Sequence, residues 1–242
     1  GLGLNAQVSY LYTAVNVIDA WAYLNEMPLD EFALEGTTEL HGVHYVQMLS
    51  RLPRGLEHLT LGSDFNQSLE HVTLPNRLRS LTLGFDFNYT LEGFTLPDSL
   101  ESLTFGNTFN QSLVRTNFPR HLQSLVFFFF FNQSLEQVKL PSSLQNLTLG
   151  SDFNQSLDHV ILPENLRNLT FGFAFNKSLN RVKLPSSLQS LTFGSHFNRS
   201  LERVNLPSNL QSLTFGTDFN RSLTWVNFPS SLQHLTFGRG FN

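Results

Sequence analysis

Histidines and carboxylates are the groups in this sequence best suited to hold a metal or move a proton. The eight histidines are His41, His44, His58, His71, His121, His159, His196 and His234. Most stand many residues apart, and His41 and His44 have no Glu-x-x-His pattern beside them. Catalysis by carboxylates needs an opposed acid and base within reach of one substrate. Glu70, Glu92, Glu136, Asp158 and Glu202 instead recur at multiples of 22 residues, as one outward series. No serine lies in Gly-x-Ser-x-Gly, and no phosphate or dinucleotide loop is present. The chain has no cysteine, which removes disulfides, thiolate metal sites and thiol nucleophiles together. These residues predict a protein that is not an enzyme and needs no metal or cofactor. One further chemical signal remains. The eight asparagines of the 22-residue series from Asn66 to Asn220 each stand two residues before Ser or Thr, the acceptor pattern for N-glycosylation.

What positions all these groups is a repeat. The dipeptide Phe-Asn begins at 65, 87, 109, 131, 153, 175, 197, 219 and 241, and proline falls at 53, 75, 97, 119, 141, 163, 185, 207 and 229. Both series step by 22 without an insertion. Eight full units run from Leu52 to Asn227, and a ninth begins at Phe228. In the second unit, Leu81-Thr82-Leu83 alternates as a strand with one buried face does. Gly84 ends it, Phe87 and Leu91 return inward, and Phe94 and Leu96 read as a second short extended stretch. Pro97 turns the next corner, because proline cannot donate within a central ladder. One such coil cannot bury its own apolar side, but stacked coils share a core. At about 4.8 Å per parallel strand, the array should be on the order of 40 Å long.

The unit wording, L-P-x-x-L-x-x-L-T-F-G-x-x-F-N-x-S-L, resembles the FNIP repeat of the leucine-rich-repeat group, from Leu52 to Asn242. The resemblance implies a mainly β, leucine-rich-repeat-like solenoid of 22-residue coils. It also implies a non-catalytic protein-interaction or scaffold role, such as a peripheral subunit of a larger complex. Similar arrays in some algae and amoebae make a plastid or another organelle one conceivable setting. The fourth unit departs from the pattern, with Phe128-Phe129-Phe130 where Gly and two mostly polar residues usually stand.

The repeated columns read first as structure. The Asn column is expected to form a ladder that satisfies backbone groups at the turn. The Phe column is core, and the Ser or Thr two residues after each Asn bonds the turn locally. Thr60, Thr82 and their equivalents should face outward beside a column of mostly Ser and Asn. This polar, nearly uncharged face carries the alternative function, a solenoid that binds ice or carbohydrate.

Residues 1–51 lie outside the repeat. Val8, Leu11, Val15, Ile18 and Ala22 share one helical face, which predicts a helix near residues 7–26. Residues 1–51 are therefore expected to form a partly helical N-terminal cap on a solenoid of residues 52–242. Gly1 stands where Met would begin a chain, as in a processed product. Asn242 falls halfway round a coil, so either the natural chain continues or a partner covers that end. The longest apolar run, Leu125 to Phe131, is far short of the roughly 20 residues of a bilayer span. The absence of Cys and of a visible signal segment favours a soluble intracellular setting.

Charge and aromatics mark the expected contacts. Residues 1–51 carry one basic and six acidic groups, residues 52–161 six and ten, and residues 162–242 eight and three. The net charges are −5, −4 and +5. Lys177, Arg199 and Arg221 stack in one column and Arg181 and Arg203 in another, so the basic end should meet a protein partner with an acidic surface. No nucleic-acid partner is expected. Phe128, Phe129 and Phe130 cannot all enter a core that Phe127 and Phe131 already fill. They should carry the main hydrophobic contact, extended by Phe85 and Phe173 two coils away on either side.

Overall fold

A strand needs a neighbour, and in this chain each coil finds its neighbour in the next one. The computed structural model describes residues 17–19 and 37–242. Its strands are β1 (Val17–Asp19), β2 (Glu39–Val43), β3 (His58–Leu61), β4 (Ser80–Thr82), β5 (Ser102–Thr104), β6 (Ser124–Val126), β7 (Asn146–Thr148), β8 (Asn168–Thr170), β9 (Ser190–Thr192), β10 (Ser212–Thr214) and β11 (His234–Thr236). They form one parallel sheet in sequence order. From β3 onward every pairing steps by 22 residues, as in Leu81 with Leu103. The uninterrupted period of the sequence sets this register.

Three tight turns close every full coil except the fourth. In the second, Phe87 N–H donates to the Gly84 carbonyl, Phe94 N–H to Leu91 and Leu100 N–H to Pro97. The second extended stretch expected around Phe94 and Leu96 is not a strand, although both side chains are buried. Pro97 fixes φ at the corner and leaves no N–H there to satisfy. Leu81, Leu83, Phe87 and Leu91 point inward and Thr82 lies outside, as their alternation predicts.

The core is a continuous ladder of rings. Phe65, Phe87, Phe109, Phe131, Phe153, Phe175, Phe197, Phe219 and Phe241 stack coil on coil at centroid spacings of 6.0–6.3 Å. Nearer the sheet, rings such as Phe105 and Phe127 stack at 4.9–5.6 Å. The strands themselves pair at about 4.8 Å. The stack therefore fans open away from the sheet and curves with the sheet on its inner side.

The N-terminal segment corrects one expectation. Where a helix over residues 7–26 was predicted, Val17–Asp19 is a strand parallel to β2, with Val17 opposite Glu39. The rest of that span lies outside the described residues, and no α-helix occurs among them. Val17 and Ile18 are β-branched and suit a pleated sheet, and the edge of β2 offers backbone partners. A pattern of apolar spacings cannot register such an edge. β2 itself joins β3 across a bulge between Leu40 and Val43, where Gly42 takes a φ of 71° that favours glycine. A 3-10 helix, Val46–Arg51, then leads into the first 22-residue coil.

Candidate interaction surface

The turn after each strand is built on close backbone contact. A Cβ placed on Gly84, Gly106 or Gly194 would lie 1.9 Å from the carbonyl oxygen of the glycine one coil below. Only glycine lets the coils approach that far. The residues just after this glycine form a flank of the solenoid. Here backbone N–H groups bond the preceding coil, from Asp86 to Ser63, Thr108 to Phe85, and on to Gly240 with Thr217.

Coil 4 (residues 118–139) breaks the glycine column with Phe128. The turn bond that Phe65, Phe87 and Phe153 make to the glycine three residues earlier is absent at Phe131, as it is at Phe109 and Phe219, but only coil 4 loses the turn itself. The Phe128 carbonyl instead accepts Ser151 N–H of the next coil at 2.8 Å, while Phe130 N–H keeps its bond to Asn107. The turn opens into a bend, and Phe128, Phe129 and Phe130 stand 52%, 46% and 48% exposed. Phe129 and Phe130 meet edge to face at 5.0 Å. Phe85 and Phe173, in the Phe129 column two coils to either side, are 52% and 53% exposed. Asn107 and Ser151 occupy the coils between, so rings alternate with short polar side chains along the flank. Phe173 also packs its ring on His196 at 4.2 Å.

Next along the coil comes the Asn ladder. Each Asn Oδ1 accepts the backbone N–H of the Asn one coil on, at 2.9–3.2 Å, from the Asn66–Asn88 pair to Asn220–Asn242. The following Ser or Thr hydroxyl accepts the N–H two residues later, as at Ser68 and Thr90. Between them stands a variable column. In coils 3, 4 and 5 it holds Gln111, Gln133 and Gln155, whose Nε2 bonds the Asn Oδ1 below at 3.0–3.1 Å. In coils 7 and 8 it holds Arg199 and Arg221, whose Nε bonds the Asn176 and Asn198 carbonyls at 2.9 and 3.0 Å. The arginines still bond the Asn one coil below, at its backbone carbonyl rather than its Oδ1, and add a charge that the fold does not require.

That charge is unanswered. Lys177, Arg181, Arg199, Arg203 and Arg221 are exposed, and among the described residues none forms an ion pair. The neighbouring Lys183 does, with Glu164 at 3.1 Å. At the acidic end Glu92 holds Arg115 at 2.5 Å, and this hydrogen bond with the carboxylate's charge pushes the guanidinium further above its ordinary pKa.

Three features escaped the sequence reading. Ile161 and Trp225 are 86% and 74% exposed. Aligning columns would have found both, since Ile161 replaces Lys139 and Lys183, and Trp225 replaces Arg181 and Arg203. Thr116 occupies the inward column of Val138 and Val160, and its buried Oγ1 is the one such side-chain atom without a hydrogen-bond partner among the described residues. Near it, Glu92, Val114 and Arg115 line a depression of about 390 Å³ between coils 2 and 3. Among the described residues no three His, Asp or Glu gather into a metal site, and no helix is long and apolar enough to cross a membrane.

Comparison with known proteins follows the same lines. No curated protein matches the sequence. The chain is similar to CroV588, whose crystal structure is described as a novel circular leucine-rich-repeat protein, with 34% identity and a TM-score of 0.60. The similarity covers 86% of this chain and 41% of that one, so the chain spans less than half the length of CroV588. A leucine-rich-repeat protein from Bacteroides ovatus is matched at 16% identity over 92% of this chain and 57% of its own, with a TM-score of 0.29. The FNIP Repeat matches residues 49–86, 87–129, 131–174, 153–196, 175–218 and 197–240. With its coils matched from residue 49 almost to the last, the chain belongs to the FNIP repeat family.

Proposed function

We propose that this chain is a non-catalytic interaction scaffold, a peripheral subunit that docks an acidic protein partner on the flank carrying Phe128, Phe129 and Phe130. Residues 1–51 act as the cap of the N-terminal end. The observation that carries the reading is the state of coil 4. Restoring the usual Gly, Ser and Asp would close the turn and hide no less of the core, yet the chain exposes three rings there. Clustered exposed aromatics mark partner contact, and aromatics supply much of the energy at interfaces. Lys177, Arg181, Arg199, Arg203 and Arg221 add orientation, because unpaired charge of one sign steers a partner of the other.

The outward Thr and Ser columns favour a second reading, a carbohydrate ligand laid along the sheet. Curvature places this face on the inner side of the stack, which suits a chain-like ligand better than a flat ice surface. The two readings separate by co-purification. Tagged chain recovered from its source should carry a stoichiometric protein, and the Phe128→Gly, Phe129→Ser, Phe130→Asp variant should lose it while melting as before. Retention of that protein by the well-folded variant, or capture of glycans alone, would refute the scaffold reading.

A further inference from the structure

The flank is nearly self-complementary when its order along the stack is reversed. Phe85, Asn107, Phe129, Ser151 and Phe173 read the same in either direction about coil 4, as ring, small polar, ring, small polar, ring. Charge reverses about the same point. Asp64 and Asp86 stand on the flank of coils 1 and 2, and Lys177 and Arg199 on that of coils 6 and 7. All four are exposed; Asp64 also contacts His44, and its side chain remains 68% exposed.

We propose that the acidic partner is a second copy of this chain, bound antiparallel, flank to flank. The proposal rests on the scaffold reading and names the occupant of that same site. A two-fold axis lying in the interface, perpendicular to the stack at coil 4, places coil 2 opposite coil 6 and coil 1 opposite coil 7. Such an axis reverses the coil order and keeps each column facing itself. Phe85 of one copy then comes beside Phe173 of the other, and the two Phe128-Phe129-Phe130 clusters meet at the centre. Lys177 then faces Tyr89, which is also exposed, and Arg199 faces Gln67, with Asp86 and Asp64 three residues earlier on those same facing coils. The basic column that nothing answers within one chain is answered by the acidic end of its partner. The facing stretch from coil 1 to coil 7 is about 30 Å long at about 4.8 Å per coil. A parallel arrangement would set like charges together, which is unfavourable. Isologous contact of one patch with itself also closes the assembly at two copies.

The test is sedimentation of the 242-residue chain over a concentration series at low and high salt. The expected result is a dimer that salt weakens and that the Phe128→Gly, Phe129→Ser, Phe130→Asp variant converts to monomer without a change in melting temperature. Charge swapping examines the geometry. A chain with Asp64→Arg and Asp86→Lys, and another with Lys177→Asp and Arg199→Asp, should each be monomeric alone and should dimerise when mixed. Should the triple variant misfold, the Phe129→Ser chain and the charge-swapped pair still decide. A wild-type chain that stays monomeric at every concentration overturns the proposal, as does a mixture that fails to pair. If the monomeric chain still captures another protein through Phe128–Phe130, the scaffold reading stands and the second copy is excluded as its partner.

Discussion

Phe153 occupies the middle of the ring ladder and is the sharpest point at which to test it. The side chain is fully buried and stacks on Phe131 at 6.1 Å and on Phe175 at 6.2 Å, with interplanar angles of 9° and 16°. Phe153→Ala removes the ring from between two coils. A transfer and cavity loss of about 3–5 kcal/mol is expected for such a truncation. At roughly 2–4 °C per kcal/mol for a chain of this size, the melting midpoint should fall on the order of 10 °C. Phe153→Leu keeps most of the apolar volume and loses the ring contacts, so it should cost under about 1.5 kcal/mol. The measurement is urea and thermal unfolding of all three proteins, followed by far-ultraviolet circular dichroism. In a quasi-one-dimensional stack the damage should spread to both neighbouring interfaces, so the Phe153→Ala transition should also broaden. A loss below about 1 kcal/mol, or equal losses for Ala and Leu, would refute the claim that stacked rings hold the coils in register.

Thr116→Val should raise stability by about 1 kcal/mol, because it removes a buried hydroxyl that has no partner; equilibrium unfolding in urea reads this, and a decrease would mean that the hydroxyl is satisfied. Gly194→Ala should be poorly tolerated, since its Cβ would lie 1.9 Å from the Gly172 carbonyl oxygen, whereas Gly55→Ala meets nothing within 4 Å and should melt like the parent; similar melting of the two variants would contradict the close approach of the coils.

Most of the fold was legible because the 22-residue period never slips. One strand placed in register places all the strands from β3 onward, and alternation around Leu81 and Leu83 decides which face is inside. The N-terminal segment was not legible in the same way. Val15, Ile18 and Ala22 satisfy a helical spacing, but the pairing of Val17–Asp19 with β2 depends on an edge that only the folded stack provides. Gly42 gave no warning of its bulge for the same reason. At the candidate site, crowding by Phe127 and Phe131 already implied that some of Phe128–Phe130 must face out. How the turn would yield, with the Phe128 carbonyl passing from its own coil to Ser151 of the next, depended on backbone contacts between coils.

A strict repeat also sorts its residues by what the fold needs. Inward columns hardly vary, because each ring or leucine must match the ones above and below it. An outward position that repeats may simply serve the strand or the turn, as Thr82 and Ser68 do. An outward position that departs from its column has no such explanation in the stack. Arg199 and Arg221 show this most clearly, since they still bond the Asn one coil below, at its carbonyl where Gln111 and Gln155 use its Oδ1, and add a charge. Phe128 goes further and gives up a glycine that seven other coils use for close contact with the coil below. Trp225 departs in turn from the Arg181 and Arg203 column. Departures of this kind accumulate on the flank of coil 4 and at the basic end, and they are where contact with another protein is best sought.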